Sequence, residues 1–293
     1  MCICCANSAA GSLSPKINDL SSKFTACIRN YSPASDIAHM KRLFTSIIII
    51  LLLPVLWGCS HGPKQIVVPV AGRFQDVQQQ KAEMIERMRS DFPELQPHEL
   101  EAIDSIPRTF FVTSAAHHRS YDDKSLPIGS GQSTIKLSDL AFLLIQLKIQ
   151  PTDRILEVGT GTGYLAAVLS RLAGEVYSVE IIEYLYEIAV SRLELMNIGN
   201  VHLKCNDGLN GWAKNAPYDV IIVSAAVRDI PQALLNQLKS EARLAAPIIG
   251  ESGKTMWYVY HWHGEELEPI AKHPSKVQAA ILPSELESEE IAN

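Results

Sequence analysis

The residues best suited to chemistry cluster in Glu157-Val158-Gly159-Thr160-Gly161-Thr162-Gly163. Three glycines at alternate positions force a tight turn, and a glycine lets a ligand approach backbone that a side chain would block. The residues before the turn, Arg154 to Val158, read as a buried strand, and Leu165 to Leu169 read as the start of a helix. Strand, glycine turn and helix together hold nucleotide-like ligands at the carboxyl end of α/β sheets. A dinucleotide fingerprint would need its third glycine at Tyr164, so the pattern here is G-x-G-x-G. The next apolar run, Val176 to Val179, ends in Glu180, about twenty residues past the glycines, where a carboxylate can accept from both hydroxyls of a ribose. Asn206-Asp207-Gly208, taken alone, is an ordinary turn.

The surrounding periodicity must supply the frame. Phe74 to Arg89 carries apolar residues on one helical face, Pro97 to Ile103 is a short helix with proline at its start, and Leu137 to Leu147 is an apolar helix. A loop runs from Ser120 to Gln132. Beyond the glycine turn, a helix over Ile182 to Met196, a strand over Val201 to Cys205, a largely apolar strand over Tyr218 to Val223, a helix from Pro231 and a strand over Arg243 to Ile249 alternate. Such alternation predicts an α/β fold whose parallel sheet is covered on both faces. Met256 to Trp262 and Lys276 to Leu282 read as the last two strands, an antiparallel hairpin because no helix separates them.

Composition narrows the function. The 293 residues are 47% hydrophobic and 20% charged, which suits a globular core. A net charge of -6 without a basic run excludes general nucleic-acid binding. Of six cysteines, only Cys205 falls in the globular region, so neither a disulfide framework nor a cysteine metal site is expected there. The pairs His117-His118 and His261/His263 read as loop and strand residues, and no metal is assigned.

The amino-terminal part divides further. Residues 1–39 read as a disordered leader, or as lying upstream of the start in use. Lys41-Arg42, the apolar run Ile47 to Leu53 and Leu56-Trp57-Gly58-Cys59 match a secretory signal over residues 40–59, with Cys59 placed as in a lipoprotein cleavage site. The run is short for a bilayer span, so anchoring is expected through a lipid on Cys59. Residues 60–74 form a linker, 75–150 an amino-terminal helical and substrate-loop region, and 151–293 the core, ending in an acidic tail from Glu285.

Taken together, these stretches resemble protein-L-isoaspartate O-methyltransferases. The motifs that carry the resemblance are Ile106-Pro107-Arg108, Leu126-Pro127-Ile128-Gly129-Ser130-Gly131-Gln132, the glycine turn with Glu157, Tyr177-Ser178-Val179-Glu180, Asn206-Asp207-Gly208 and Ala216 to Ala226. The resemblance implies a Rossmann-like, S-adenosylmethionine-dependent methyltransferase fold: a mostly parallel seven-stranded sheet with a reversed carboxyl-terminal hairpin. It implies methyl transfer from S-adenosyl-L-methionine to the α-carboxylate of L-isoaspartyl residues in damaged proteins, by a monomer. Glu157, Gly159, Thr160, Gly161, Gly163, Glu180, Asp207 and Gly208 would bind the methyl donor. Leu126, Pro127, Ile128, Gly129, Gln132 and Ser224 would shape the acceptor pocket. A carboxylate is already ionised near neutral pH, so no catalytic histidine is required.

The chain departs from the family in one loop. The family continues G-Q-T-I-S-x-P with a serine in its active site. Here Ser133 and Thr134 come early, Ile135 occupies the serine position and Leu137 the proline. Ser133 or Thr134 is therefore expected to replace the serine hydroxyl, and Ile135→Ser to restore it. Glu241-Ala242 stands where a Gly-Gly is common and reads as a turn. Two alternatives follow: a non-catalytic protein that keeps the donor-binding fold, or a methyltransferase with another acceptor. Location stays open between a lipid-anchored protein and a cytoplasmic one, as the donor's supply implies.

Overall fold

The computed structural model describes residues 70–274. The leader, the signal segment with Cys59, residues 60–69 of the linker, the strand expected over Lys276–Leu282 and the acidic tail lie outside them.

Helices α1 (Val70–Asp91) and α2 (Pro97–Ser105) come first. Helix α1 begins inside the expected linker, so the linker's last residues belong to the helix. The capping box at Gln96 and Glu99 starts α2, with the Gln96 amide donating to Glu99 Oε2 at 2.8 Å. Two short 3-10 segments, Arg108–Phe111 and Ser114–Arg119, lead to a small antiparallel hairpin, β1 (Pro127–Gly129) and β2 (Gln132–Ser133). The expected loop from Ser120 to Gln132 is irregular as far as Leu126 and then forms this hairpin, folded over Ser130 and Gly131, both at positive φ. Helix α3 (Leu137–Leu147) follows as expected.

The sheet then builds in order: β3 (Arg154–Val158), α4 (Tyr164–Leu169), β4 (Glu175–Glu180), α5 (Glu183–Leu195), β5 (Val201–Cys205), β6 (Tyr218–Val223), α6 (Gln232–Leu235), β7 (Leu238–Ile249), β8 (Thr255–Trp262) and β9 (Leu267–Pro274). Its seven strands lie in the order β5-β4-β3-β6-β7-β8-β9. The first five of that row are parallel, and β8 runs antiparallel to both neighbours. Successive residues of β3 feed opposite faces. Ile155 packs with α3 and α4, while Leu156 and Val158 pack with Ile221, Val223 and Leu244 on the other side. Each such fully buried side chain contributes about 1.5–3 kcal/mol.

The hairpin at the sheet edge is present, and the strand paired with β8 is Leu267–Pro274; the strand expected over Lys276–Leu282 lies outside the described residues. His263 to Glu266 turn the chain, with the His263 amide donating to Glu266 O at 3.1 Å. Pro269 argues against a strand in sequence, yet an edge strand tolerates it. The register shifts beside it, where Val259 faces Ala271 and Tyr260 faces Pro269. Among the described residues, no helix is long and apolar enough to cross a membrane.

Candidate active site

The carboxyl ends of β3, β4 and β6 define the site. Gly159, Gly161 and Gly163 all take positive φ, at 95, 56 and 91 degrees, so the turn demands residues without a β-carbon. Two of its amides, Gly159 N and Thr160 N, donate to Val179 O. A third, Gly161 N, donates to Glu180 Oε2 at 2.7 Å, and Ile182 N donates to Glu180 Oε1 at 2.9 Å. The acidic residue expected for a ribose thus also braces the glycine turn. Burial pushes the Glu180 carboxyl above its ordinary range, and the amides of Ile182, Gly161 and Ile181 draw it back.

Beneath the turn lies a polar chain. Ser178 Oγ donates to Glu157 Oε2 at 2.6 Å, and Ser178 Oγ and Thr160 Oγ1 are 2.5 Å apart. Glu157 is buried, and burial lifts its carboxyl to about 8; Ser178 opposes the shift and Glu180 adds to it. Glu157 Oε1 and Ser224 Oγ are buried without a hydrogen-bond partner. These orphaned atoms sit at the ends of adjacent strands β3 and β6, beside the turn. They fit a ligand that brings polar groups of its own to this edge, as an amino-acid moiety would.

The β1–β2 hairpin roofs the glycine turn. A β-carbon added to Gly161 would stand 3.0 Å from Ile128 Cδ1. Tyr184 of α5 stands 3.4 Å from the corresponding point on Gly129, and Thr162 Oγ1 donates to Phe111 O at 2.6 Å. Arg108 holds this whole segment. Fully buried, it donates to Ser120 O, Asp122 O, Lys124 O, Thr134 Oγ1 and Ile135 O at 2.7–3.0 Å. Burial lowers its pKa, and Tyr164, 5.7 Å beneath the guanidinium, opposes that shift. Arg192 of α5 lies over the rings of Phe110 and Phe111 at 5.9 and 5.8 Å. Arg108 appeared in the sequence only as part of a motif. Thr162, Ser178 and Arg192 carried no separate signal, because their partners are 18 to 82 positions away.

The remaining expected residues divide. Leu126 and Ile128 are buried, Pro127 is exposed, and Gln132 is half-buried on β2. Ser133 is exposed on the hairpin, opposite Pro127. Thr134 is buried, and its hydroxyl accepts from both Arg108 and the Leu126 amide. The Ile135 side chain packs against the main core. Asp207 Oδ1 accepts from Leu209 N, the local turn pattern. Gly208 is buried so tightly on Val158 that an added β-carbon would fall 2.4 Å from Val158 Cγ1.

A model of the family "Protein-L-isoaspartate(D-aspartate) O-methyltransferase (PCMT)" matches residues 66–271. The chain belongs to this family. A protein-L-isoaspartate O-methyltransferase of Vibrio atlanticus (strain LGP32) is 43% identical over 162 residues, which are 55% of this chain and 78% of that one. A solved protein-L-isoaspartate O-methyltransferase superposes with a TM-score of 0.63 at 26% identity, covering 72% of this chain and 69% of that one. A putative member from Plasmodium falciparum, in complex with S-adenosyl-L-homocysteine, shares the fold with a TM-score of 0.58 at 18% identity, over 69% of this chain and 97% of that one. The family's methyltransferase fold and its S-adenosyl-L-methionine dependence therefore extend to the sheet and glycine turn described above.

Proposed function

We propose that the altered loop leaves this family member an active carboxyl methyltransferase for L-isoaspartyl residues in damaged proteins and peptides, the first step of their repair. The observation that carries the reading is the seating of Ile128 on Gly161. The acceptor hairpin roofs the donor-binding turn although residues 133–137 differ from the family pattern. S-adenosyl-L-methionine supplies the methyl group as a sulfonium. An acceptor carboxylate oxygen forms the new bond to carbon as the carbon–sulfur bond breaks, and the electron pair leaves with a neutral thioether. The charges cancel without proton transfer, so the residues need only align the reactants and exclude water.

In this reading Glu180 accepts from the ribose hydroxyls with the lone pairs that Gly161 and Ile182 leave free. Gly159, Thr160, Gly161 and Gly163 line the methionine part, with Glu157 beneath them, and Asp207 and Gly208 flank the adenine. Ser224 Oγ and Ser133 are the hydroxyls placed to orient the acceptor, since Thr134 is committed to Arg108 and Leu126.

The test uses the purified chain, labelled S-adenosyl-L-methionine and a matched pair of isoaspartyl and aspartyl peptides. Methylation of the isoaspartyl peptide alone is the expected result. Donor binding without transfer to either peptide would instead favour a binding protein, and transfer to the aspartyl peptide another acceptor.

The signal-like segment before Cys59 supports a second proposal, that the enzyme is lipid-anchored at that cysteine. Metabolic labelling with palmitate should mark the wild type and not Cys59→Ala. An unlabelled wild type would return the cytoplasmic reading to first place.

A further inference from the structure

We propose that Glu241, His261 and His263, with Glu268 beside them, form a binding site for a divalent transition cation such as zinc, distinct from the methyl-transfer site. The sheet brings Glu241 beside two histidines that are twenty and twenty-two positions away. His261 is the penultimate residue of β8 and His263 follows its end, and their rings meet with centroids 4.4 Å apart. Glu268 is paired with His261 across the β8–β9 ladder. Glu241 reaches the same face from an irregularity in β7, where the pairing with β6 jumps from Tyr218↔Leu238 to Val220↔Arg243.

The distances suit coordination. Glu241 Oε2 lies 3.6 Å from His261 Nε2 and 3.6 Å from His263 Nδ1. One ligand atom from each of the three residues falls within 4.8 Å of the others. Donor atoms each about 2.0–2.1 Å from a tetrahedral ion stand roughly 3.3 Å apart, so small side-chain adjustments close the site. Two imidazoles and a carboxylate suit zinc, cobalt or nickel, and a water can take the fourth position. His263 Nε2 already meets Glu268 Oε2 at 2.9 Å, which orients that ring as an outer carboxylate does in zinc sites.

A second observation bears on Glu241. Its φ is +59 degrees, a left-handed conformation that costs a residue with a β-carbon about 1–2 kcal/mol. Glycine would remove that cost, yet the position holds a carboxylate aimed at two imidazoles. Strain of this kind concentrates where a side chain has a task. The site lies toward the amino end of β7, whereas the glycine turn follows the carboxyl end of β3. A cation there would clamp β7, β8 and β9 without touching the reactants.

The test is calorimetric titration of zinc chloride into the full chain, with cobalt absorption spectra reporting the ligand geometry. Wild type should take up one ion at this site and melt at a higher temperature when it is bound. His263→Ala and Glu241→Gln should each weaken uptake at least tenfold and abolish the thermal shift, while His117→Ala should change neither. Glu241 is well exposed, so its variant keeps the question answerable if the histidine variant misfolds. No uptake by wild type, or uptake unchanged in His261→Ala combined with His263→Ala, would overturn the proposal, the latter by placing the ion elsewhere.

Discussion

Glu180 and Gly161 are joined by a 2.7 Å hydrogen bond from the turn amide to the carboxylate, so the acid proposed to hold the ribose and the glycine turn are one unit. Glu180→Ala removes an acceptor from both the ribose and the turn. The expected result is at least a tenfold loss of S-adenosyl-L-methionine affinity, about 1.4 kcal/mol or more, in calorimetric titration. Gly161→Val meets Ile128 as well as a positive φ, so it should weaken donor and peptide binding together. Unchanged donor affinity in both variants would sink the site assignment.

Arg108 is the fastening of the acceptor segment. Arg108→Met would take the guanidinium donor from the buried Ser120 carbonyl and the half-buried Ile135 carbonyl, and one of two donors from Thr134 Oγ1; a buried oxygen left unpaired costs about 1–3 kcal/mol. The variant should unfold several degrees below wild type. If it folds, KM for the isoaspartyl peptide should rise more than KM for the methyl donor. An equal rise in both would place Arg108 outside acceptor recognition.

The altered loop gives separable outcomes. Ser133→Ala should lower turnover on isoaspartyl peptide by up to one or two orders of magnitude while leaving the melting temperature within a degree or so. Thr134→Val should act mainly on stability, since the lost hydroxyl is a partner of Arg108 and Leu126. Ile135→Ser, expected from the family pattern to restore a hydroxyl, instead removes a side chain packed on the core. It should destabilise by about 1–2 kcal/mol with no gain in turnover. A gain would show that the 135 side chain can turn outward to the acceptor.

Glu157 predicts a pH dependence of stability. Its carboxyl titrates near 8 in the folded chain and near 4.5 in the unfolded one. Between those values the folded state holds a proton that the unfolded state has lost, so the group's contribution falls as pH rises from 4.5 toward 8. Glu157→Gln should therefore gain stability relative to wild type as pH increases through that window. Parallel melting curves for the two proteins, offset equally at every pH, would contradict the assignment.

The sequence by itself determined the strands and helices, the glycine turn and Glu180, because these rest on local periodicity and on backbone demands within a few residues. It placed β3 to β6 correctly, since each is a short run rich in β-branched and other apolar residues, bounded by turn residues. It missed β9, where Pro269 hides a strand that only the edge of a sheet allows. Tertiary structure alone decided what the polar residues do. Whether Ser133, Thr134 or Ile135 faces the acceptor depends on hairpin register. Whether Arg108 is a surface charge or a buried fastening depends on carbonyls 12 to 27 positions away. Glu241 reads as a turn residue until an irregularity in β7 lifts it beside His261 and His263. Side-chain chemistry acts over a few ångströms, and which residues come that close is settled by packing rather than by spacing along the chain.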